Sequence, residues 1–397
     1  MDRERLRQVI AQELPRLRAI RHDLHRHPEL GYQERRTAGV VARELAALGI
    51  EHVTGLAGGT GVVGFIPGTG EAGSPCVALR ADMDALAIEE RTGKPYASVV
   101  PGTMHACGHD GHTTILLGAA AAIAKMPHRP NAVLLVFQPA EEGGAGADRL
   151  CREGVLDGRV IGTRARIIFG LHGWPMQPLG TVASKPGPLL ASTDEFEAEV
   201  RGTGAHAAYP HLSRDPVLAM ARCIEGVQMI VSRNVSPIDS VVVTVATARA
   251  GTAQNVIPEH ARFGGTVRAL RSETRSLARE RLEQIVTLTA RAHGCEAAVE
   301  WREGYPVTSN DAAATEVFFR VARGALGEPN VSLIEHPTMG GEDFSYYGQR
   351  VPACFFTLGL CPAGRTGYPT LHQPDFDFND DALGVGIETM CALALDH

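Results

Sequence analysis

The sequence predicts an α/β protein in which a large layered domain is interrupted by a smaller domain of a different kind. Short, continuously apolar segments such as 132–137 (AVLLVF) alternate with helical segments, which is the pattern of buried parallel strands in a layered α/β domain. The middle of the chain differs, because residues 194–202 alternate polar and apolar side chains as a half-exposed strand does. The first pattern returns after about residue 303. The large domain is therefore expected to be discontinuous.

The large domain is expected to span residues 1–185 and 303–397. Its strands are predicted where short apolar runs occur, and its helices where apolar residues recur with helical spacing. The predicted strands are 76–80, 132–137, 166–171 and 353–359, and the predicted helices are 2–26, 34–48, 112–125, 311–326 and a last helix from about 380 to the end.

The inserted domain is expected to span residues 186–302. Proline and glycine in KPGPLL (185–190) and EGYPVTSN (303–310) mark its two boundaries. The predicted order is strand, helix, strand, strand, helix, strand, which is the ferredoxin-like arrangement. These elements are placed at 194–202, 215–232, 240–249, 260–270, 273–293 and 296–303.

Composition and charge exclude several classes of partner. The formal charge is −7 and there is no Lys/Arg-rich run, which argues against a nucleic-acid or anionic-membrane partner. The first residues are charged and lack the apolar core of a secretion signal. The eight scattered cysteines form no Cys-x-x-Cys pair, and seven of them are expected to be buried small hydrophobes in a reduced, cytoplasmic protein.

The segment MHACGHDGH (104–112) concentrates side chains that bind metal ions. Other polar residues follow the predicted strands, and in open α/β sheets functional sites form beyond the carboxyl ends of the strands. The candidate ligands are Cys107, His109, Glu142, His172 and His372. Thiolate, imidazole and carboxylate together suit zinc-like or borderline divalent ions. Five ligands exceed what one tetrahedral ion takes, so they fit two ions that share a bridging ligand.

The adjacent pair Glu141–Glu142 fits a division of roles, in which one carboxylate binds metal and the other serves as a general base. A chance cluster or a closed structural zinc site remains the alternative for the Cys107 segment. Within that segment, His105 is expected to form a turn or to support a ligand. His112 is expected to pack at a helix N-terminus, and Asp110 to cap a helix or to support a ligand.

Nine motifs, in order along nearly the whole chain, resemble the M20 metallopeptidases and, within them, the hippurate hydrolase / indole-acetyl-amino-acid amidohydrolase subgroup. They are ADMDAL (81–86), MHACGHDGHT (104–113), FQPAEEGG (137–144), LHGWP (171–175), GTGAHAAYPH (202–211), QNVIPEHA (254–261), GTVRAL (265–270), MGGEDFSYY (339–347) and LHQPDFDFND (371–380).

The resemblance implies a two-metal hydrolase with an inserted lid and dimerisation domain. It makes Cys107 the bridge between two divalent ions of Mn²⁺, Zn²⁺, Ni²⁺ or Co²⁺. His109 and His172 then complete one ion's ligands, and Glu142 and His372 complete the other's. Glu141 becomes the general base and Asp82 an orienting carboxylate. His206 is implied to reach the partner subunit's substrate, while Asn255 and Arg268 hold the substrate's carboxylate.

The implied function is hydrolysis of the amide bond of N-acyl amino acids by a cytoplasmic homodimer or larger homo-oligomer. Dipeptide cleavage, aminohydrolysis of an aromatic amine, and an inactive metal-binding homologue are the alternatives. Two residues depart from the family pattern. Arg80 stands where other branches have a histidine, and Gly173 follows His172 where the subgroup often has a larger residue.

Overall fold

The chain forms two compact units in a computed structural model that describes residues 2–70, 75–365 and 367–396. Unit 1 comprises Met1–Gly187, Ser309–His336 and Asp343–His397, and unit 2 comprises Pro188–Thr308 and Pro337–Glu342. The sequence did not indicate that 337–342 belongs with the inserted segment. This short piece joins unit 2 through backbone pairing, because the Ala191 N–H donates to the Gly340 carbonyl at 2.8 Å.

Helices and strands are numbered in the order in which they occur along the chain. The helices are α1 (Arg3–Arg26), α2 (Arg35–Ala47), α3 (His109–Ala124), α4 (Gly146–Glu153), α5 (Pro216–Val227), α6 (Ser272–Ala292), α7 (Ala312–Leu326), α8 (Ser345–Gly348) and α9 (Leu383–Leu395). The strands are β1 (Glu51–Leu56), β2 (Gly61–Ile66), β3 (Cys76–Asp82), β4 (Ala132–Gln138), β5 (Ala165–Pro178), β6 (Val182–Ser184), β7 (Gly187–Leu190), β8 (Ser192–Arg201), β9 (Ala205–His206), β10 (Val241–Ala250), β11 (Val256–Ile257), β12 (His260–Ala269), β13 (Glu296–Glu303), β14 (Thr308–Asn310), β15 (Val331–Leu333) and β16 (Ala353–Cys361). Among the residues described, no helix is both long and apolar enough to cross a membrane.

Unit 1 is built on one large mixed sheet, and the sequence predicted its central parallel strands. Its strand order within the described residues is β1-β2-β4-β3-β5-β16-β6-β15. The central strands β4, β3, β5 and β16 run parallel, and β3 and β4 are buried along their whole length. Such strands are covered on both faces and therefore read as continuous apolar runs. The antiparallel β1 and β2 at one side were not predicted. β1 is largely exposed and lacks such a run, whereas β2 (GVVGFI) is mostly buried and its apolar run was missed.

Most predicted elements of unit 1 differ from the structure by a few residues at their ends, and the differences at β5 and α3 bear on the site. β5 continues to Pro178, so His172 lies inside this strand and not after it. α3 begins at His109, three residues before the predicted start, so that His109 and Asp110 lie in its first turn. The last predicted helix ends at Leu395, and its final predicted residue, His397, lies outside the described residues.

Unit 2 has the element order β8-α5-β10-β12-α6-β13, with an antiparallel sheet ordered β10-β12-β8-β13 within residues 188–308. This is the ferredoxin-like order of two helices and four strands. Along β8, Phe196, Ala198 and Val200 are buried, whereas Glu195, Glu197 and Arg201 are exposed on the other face. The buried residues pack against α5 and α6, and β10 and β13 form the two edges of the sheet.

All eight cysteines are free thiols. Seven are buried, including Cys107, but Cys361 is only partly buried. The expectation of a buried hydrophobe is therefore wrong at Cys361. This residue ends β16, where the chain leaves the covered part of the sheet.

A buried charged cluster ties α1 to α3 and to the segment before α9. The guanidinium of Arg21 is fully buried and lies 3.1 Å from Asp110, 2.9 Å from Asp377 and 2.6 Å from Asp380. The Nδ1 of His25 lies 2.8 Å from the same Asp110 carboxylate. Removing one partner would leave an uncompensated buried charge, which is strongly destabilising. These contacts therefore fix the first turn of α3 against the N-terminal helix.

The charge on His25 is expected to make stability depend on pH. Burial lowers the pKa of His25, but the Asp110 carboxylate outweighs it and raises the pKa from 6.5 to about 9. Because the folded pKa is the higher one, this stabilisation is complete below the unfolded pKa and is lost as the pH rises through about 9. Urea unfolding measures the free energy of unfolding. In the wild type this free energy should fall by an amount on the order of 3 kcal/mol as the pH rises from 6.5 to about 9, and it should not fall in this way in His25→Asn. A difference between the two proteins that is the same at every pH in this range would contradict the role of His25.

Candidate metal centre

Side chains from several elements of unit 1 meet at the carboxyl ends of its parallel strands. Asp82 is the last residue of β3, and Glu141 and Glu142 follow β4. His172 lies within β5, where its backbone pairs with Thr357 of the parallel β16. Because the carboxyl ends of parallel strands share one edge of the sheet, residues far apart in the sequence become neighbours there.

The first group of possible ligands is Cys107, His109 and His172, which are all buried and whose ligand atoms lie within 4.8 Å of one another. The Cys107 Sγ is 3.3 Å from the His172 Nε2. The His172 Nδ1–H donates to the Gly173 carbonyl at 2.9 Å, which leaves Nε2 as the atom directed at Cys107. Burial, reinforced by His112, holds the pKa of His172 well below its usual range. His172 is therefore the neutral imidazole that metal binding requires.

The second group is Cys107, Glu142 and His372, whose ligand atoms also lie within 4.8 Å of one another. The His372 Nε2 lies 3.1 Å from the Glu142 Oε1. His372 has a φ of 64°, a left-handed conformation that costs a non-glycine residue free energy. Its N–H donates to the Ala106 carbonyl at 2.8 Å, which fixes the strained residue beside Cys107. Both groups thus contain Cys107.

Glu141 lies at the same site but outside these two groups. Its carboxylate oxygen, the Glu142 carboxylate and a ring nitrogen of His109 form a further cluster. Glu141 is buried, and its Oε1 accepts the Asp343 N–H at 3.4 Å. The site therefore contains a buried carboxylate in addition to the five candidate ligands.

The electrostatics of the site favour a bound cation. Burial, followed by the charges of Glu142, Glu141 and Asp82, raises the pKa of the Cys107 thiol well above its usual range. Burial lowers the pKa of His109, but Asp82 and Asp84 outweigh it and raise the pKa to about 10. Burial contributes most to the first shift, but carboxylates raise the pKa of both groups, and a divalent cation would offset their negative charge.

The donor atoms themselves also fit metal ions. The His109 Nε2 has no hydrogen-bond partner among the residues described, and the Asp82 Oδ2 lies 3.8 Å from it. A buried, unpaired ring nitrogen beside a thiol and a second imidazole is the ligand set of a zinc-like or borderline divalent ion. The five predicted ligands can therefore hold two divalent ions that share Cys107.

Asp82 contacts the supporting residues of the site. Its Oδ1 accepts the His112 Nδ1–H at 2.7 Å, and its Oδ2 accepts from the Arg80 guanidinium at 2.7 Å. Arg80 is fully buried and also donates to Gln138 at 2.8 Å and to Asp343 at 3.1 Å. Arg80, which stands where other branches of the family have a histidine, thus supplies a fixed positive charge next to the candidate ligands.

The structure corrects the expectation for Asp110 in the segment 104–112 and adds contacts to the one for His112. His112 does more than pack, because its Nε2 accepts the Gly173 N–H at 2.8 Å while its Nδ1 binds Asp82. Asp110 is not a helix cap, since Gly108 occupies that position and Asp110 pairs with Arg21 and His25. His105 is buried, and neither of its ring nitrogens has a hydrogen-bond partner in the part of the chain described.

The remaining three predicted site residues lie in unit 2. His206 and Asn255 are exposed and close together, because β9 pairs with β11 and the Ala207 N–H donates to the Asn255 carbonyl at 3.0 Å. Arg268 is half-buried on β12, where it pairs with Thr193 of β8. The structure therefore brings His206 and Asn255 together where the short strands β9 and β11 pair, while Arg268 lies on β12 of the four-stranded sheet.

Comparisons with known proteins agree with this site. Residues 78–396 match the model of peptidase family M20/M25/M40. The chain is similar to the IAA-amino acid hydrolase ILR1-like 4 of Arabidopsis thaliana, with 42% identity over 380 residues that cover 94% of this chain and 84% of the relative. It is also similar to the N-acetylcysteine deacetylase of Bacillus subtilis strain 168, with 38% identity over 385 residues that cover 96% of each.

A solved structure is similar to this chain in both fold and sequence. The YXEP protein of Bacillus subtilis, described as a dinuclear metal-binding peptidase of the M20 family, matches with a TM-score of 0.82 and 34% identity. The match covers 97% of this chain and 98% of that chain. Together with the family match, it confirms the resemblance that the sequence motifs predicted.

Bound ions are expected to stabilise the chain, and the shared thiolate is expected to affect both of them. At a free-ion concentration of about 100 times the dissociation constant, one ion adds about 2.7 kcal/mol of stability. Calorimetry should therefore show a higher unfolding temperature with Zn²⁺ or Mn²⁺ than after chelation. Elemental analysis should find two ions in the wild type, one in His372→Ala, and fewer than one in Cys107→Ala. Two tightly bound ions in Cys107→Ala would rule out the shared ligand.

Proposed function

Because this chain belongs to peptidase family M20/M25/M40, we propose that it is a metal-dependent amidohydrolase that cleaves the amide bond of N-acyl amino acids. The observation that carries this proposal is the pair of ligand groups that share Cys107, with the further buried carboxylate of Glu141 beside them. The relatives named as an IAA-amino acid hydrolase and an N-acetylcysteine deacetylase support this substrate class. A protein that only stores metal needs no such additional carboxylate.

The protein would hold two divalent ions, of Mn²⁺, Zn²⁺, Ni²⁺ or Co²⁺. Cys107, His109 and His172 would bind one, and Cys107, Glu142 and His372 the other. Bound in this way, such ions lower the pKa of water and stabilise negative charge on a carbonyl oxygen.

Glu141 would carry the proton during hydrolysis. Its carboxylate takes a proton from the attacking water as the water oxygen bonds to the amide carbon. When the carbon–nitrogen bond breaks, Glu141 delivers that proton to the leaving nitrogen. The products are a carboxylic acid and a free amino acid, and Glu141 is regenerated as a carboxylate. Burial of Glu141 beside the ligands supports this role, because a general base must lie within hydrogen-bond reach of the water.

Unit 2 would supply substrate-binding groups and the contact between subunits. We assign to His206 a hydrogen bond to the carbonyl oxygen of the partner subunit's substrate, and to Asn255 and Arg268 the substrate's free carboxylate. Arginine suits this task because its planar fork binds a carboxylate through two parallel hydrogen bonds. Within the described residues β10 and β13 are the edge strands of the sheet, and pairing of such an edge with a second copy would form the dimer.

A reducing compartment such as the cytoplasm would suit this chemistry. Cys107 has to be a thiolate to bind an ion, and the thiolate is the form of cysteine that oxidants attack. All eight cysteines are unpaired thiols, which supports the same compartment.

The proposed function is tested by product analysis with a panel of N-acetyl, N-benzoyl and N-indoleacetyl amino acids and each of the four metals. We expect equimolar release of carboxylic acid and free amino acid, its loss after chelation, and its recovery on adding metal back. Release of ammonia without a carboxylic acid would indicate aminohydrolysis instead. Cleavage of unmodified dipeptides at a higher kcat/KM than any N-acyl amino acid would indicate a dipeptidase.

Glu141→Gln keeps the size of the side chain but removes the basic carboxylate. We expect turnover to fall by about 10²-fold or more, as for the loss of a general base, while both ions remain bound. Steady-state kinetics and elemental analysis of the same preparation check this. Near-normal turnover at full metal content would show that another group transfers the proton.

His206→Ala is expected to keep its metals and to lose roughly 10²–10³-fold in turnover, the usual cost of one donor to the reacting oxygen. Mixing it with Glu141→Gln tests whether His206 acts across subunits. In a mixed dimer, one active site would then combine the intact Glu141 of one chain with the intact His206 of the other. Part of the activity should return after subunit exchange. If exchange is verified by differently tagged chains and no activity returns, His206 does not act on the partner.

A further inference from the structure

Asp84, two residues after the end of β3, contacts both groups of candidate ligands. It is buried, and its backbone carbonyl accepts the His109 Nδ1–H at 2.9 Å. Its side-chain Oδ2 accepts the backbone N–H of Glu142, also at 2.9 Å. His109 belongs to one ligand group and Glu142 to the other. One residue therefore fixes a member of each group through a different acceptor.

The contact with His109 sets the orientation of its ring. Because Nδ1 carries the proton donated to Asp84, Nε2 is the atom left to bind an ion with Cys107 and His172. The second carboxylate oxygen of Asp84, Oδ1, lies 3.3 Å from the same Nδ1 and has no hydrogen-bond partner among the residues described. Its negative charge is thus directed at the ring of His109.

The contact with Glu142 holds a strained segment. Ala140 and Ala145 both have positive φ values, 52° and 55°, on either side of the two glutamates. Non-glycine residues keep such conformations only when surrounding contacts hold them. The Asp84 carboxylate provides one of these contacts at Glu142, and the Glu34 carboxylate provides another by accepting the Ala140 N–H at 2.8 Å.

We propose that Asp84 is a positioning residue that holds His109 and Glu142 in the geometry needed to bind two ions. Asp84 itself touches neither substrate nor metal in this proposal, which rests on the proposed two-metal function. Residues that orient metal ligands typically contribute about 10- to 100-fold to metal affinity. The loss of Asp84 should therefore weaken the binding of both ions.

Glu34 offers a matched control. It is fully buried, like Asp84, and its Oε1 accepts an N–H from the same segment, but its Oε2 accepts the Thr60 hydroxyl and does not hold a candidate ligand. Zn²⁺ binding to each full-length variant would be measured by equilibrium dialysis against buffered free Zn²⁺, followed by elemental analysis. His172→Ala and His372→Ala supply the reference curves for weakening one ion at a time.

Asp84→Ala keeps the backbone carbonyl that accepts the His109 Nδ1–H, but it removes Oδ1, 3.3 Å from that nitrogen, and Oδ2, which accepts the Glu142 N–H. Because a side-chain contact to a member of each group is lost, both dissociation constants should rise by about 10- to 100-fold. In Glu34→Ala, the dissociation constant of the ion bound by the His109 group should stay within about threefold of the wild-type value, since Glu34 does not contact that group. Binding by Asp84→Ala that equals the wild type, or that matches Glu34→Ala, would overturn the inference. A wild type that binds fewer than two ions would instead overturn the proposed function.

Asp84→Asn gives a second test that also serves if Asp84→Ala does not fold. Asparagine retains an oxygen that can accept the Glu142 N–H, but its NH₂ group then faces the Nδ1–H of His109, so that donor opposes donor. We expect binding of the ion in the His109 group to weaken more than binding of the other ion. A general loss of stability would not produce this difference. Wild-type affinity for both ions in Asp84→Asn would also overturn the inference.

Discussion

The structure depends on a concentration of negative charge around one buried thiol. The Cys107 Sγ belongs to both ligand groups, and the carboxylates of Glu142, Glu141 and Asp82 add to burial in raising its pKa well above the usual range. Buried charges of one sign are costly unless cations offset them. Arg80 supplies one fixed positive charge through Asp82, and divalent ions would supply the rest. This requirement explains why so many buried polar residues surround a short segment of chain.

The fold meets this requirement by combining a regular scaffold with strained connections. Parallel strands end at one edge and place Asp82, His172 and the two glutamates near one another. The strain lies in the connections, because Ala140, Ala145 and His372 are non-glycine residues with positive φ values. Gly146 shows how tight the packing is, since a Cβ there would lie 1.8 Å from the Pro139 carbonyl oxygen. Buried carboxylates of Glu34, Asp84 and Asp343 accept backbone N–H groups of the same segment and hold it in place.

Much of this arrangement could be predicted from the sequence where a local pattern reflects a global environment. Buried parallel strands appear in the sequence as apolar runs, so the central strands of unit 1 were predictable. In unit 2, the alternation of polar and apolar residues along β8 indicated a half-exposed sheet. The exposed β1 and the short β15 carry no such pattern. The pairing of Asp110 with Arg21 and His25 was also beyond sequence pattern, because these residues meet only when α1 packs against α3. The family resemblance indicated the candidate ligands, but it did not indicate that the Asp84 carboxylate accepts the Glu142 N–H or that His112 bonds to both Asp82 and the Gly173 N–H.

The central claim is that one thiolate joins two metal positions. Crystals of the protein loaded with Zn²⁺, measured with X-rays on both sides of the zinc absorption edge, would test it most directly. The account predicts two anomalous peaks roughly 3.5–4 Å apart, as in other two-metal sites. The Cys107 Sγ should lie about 2.3 Å from each of them, which is the usual zinc–thiolate distance. A single peak, or two peaks of which only one contacts Cys107, would contradict the account.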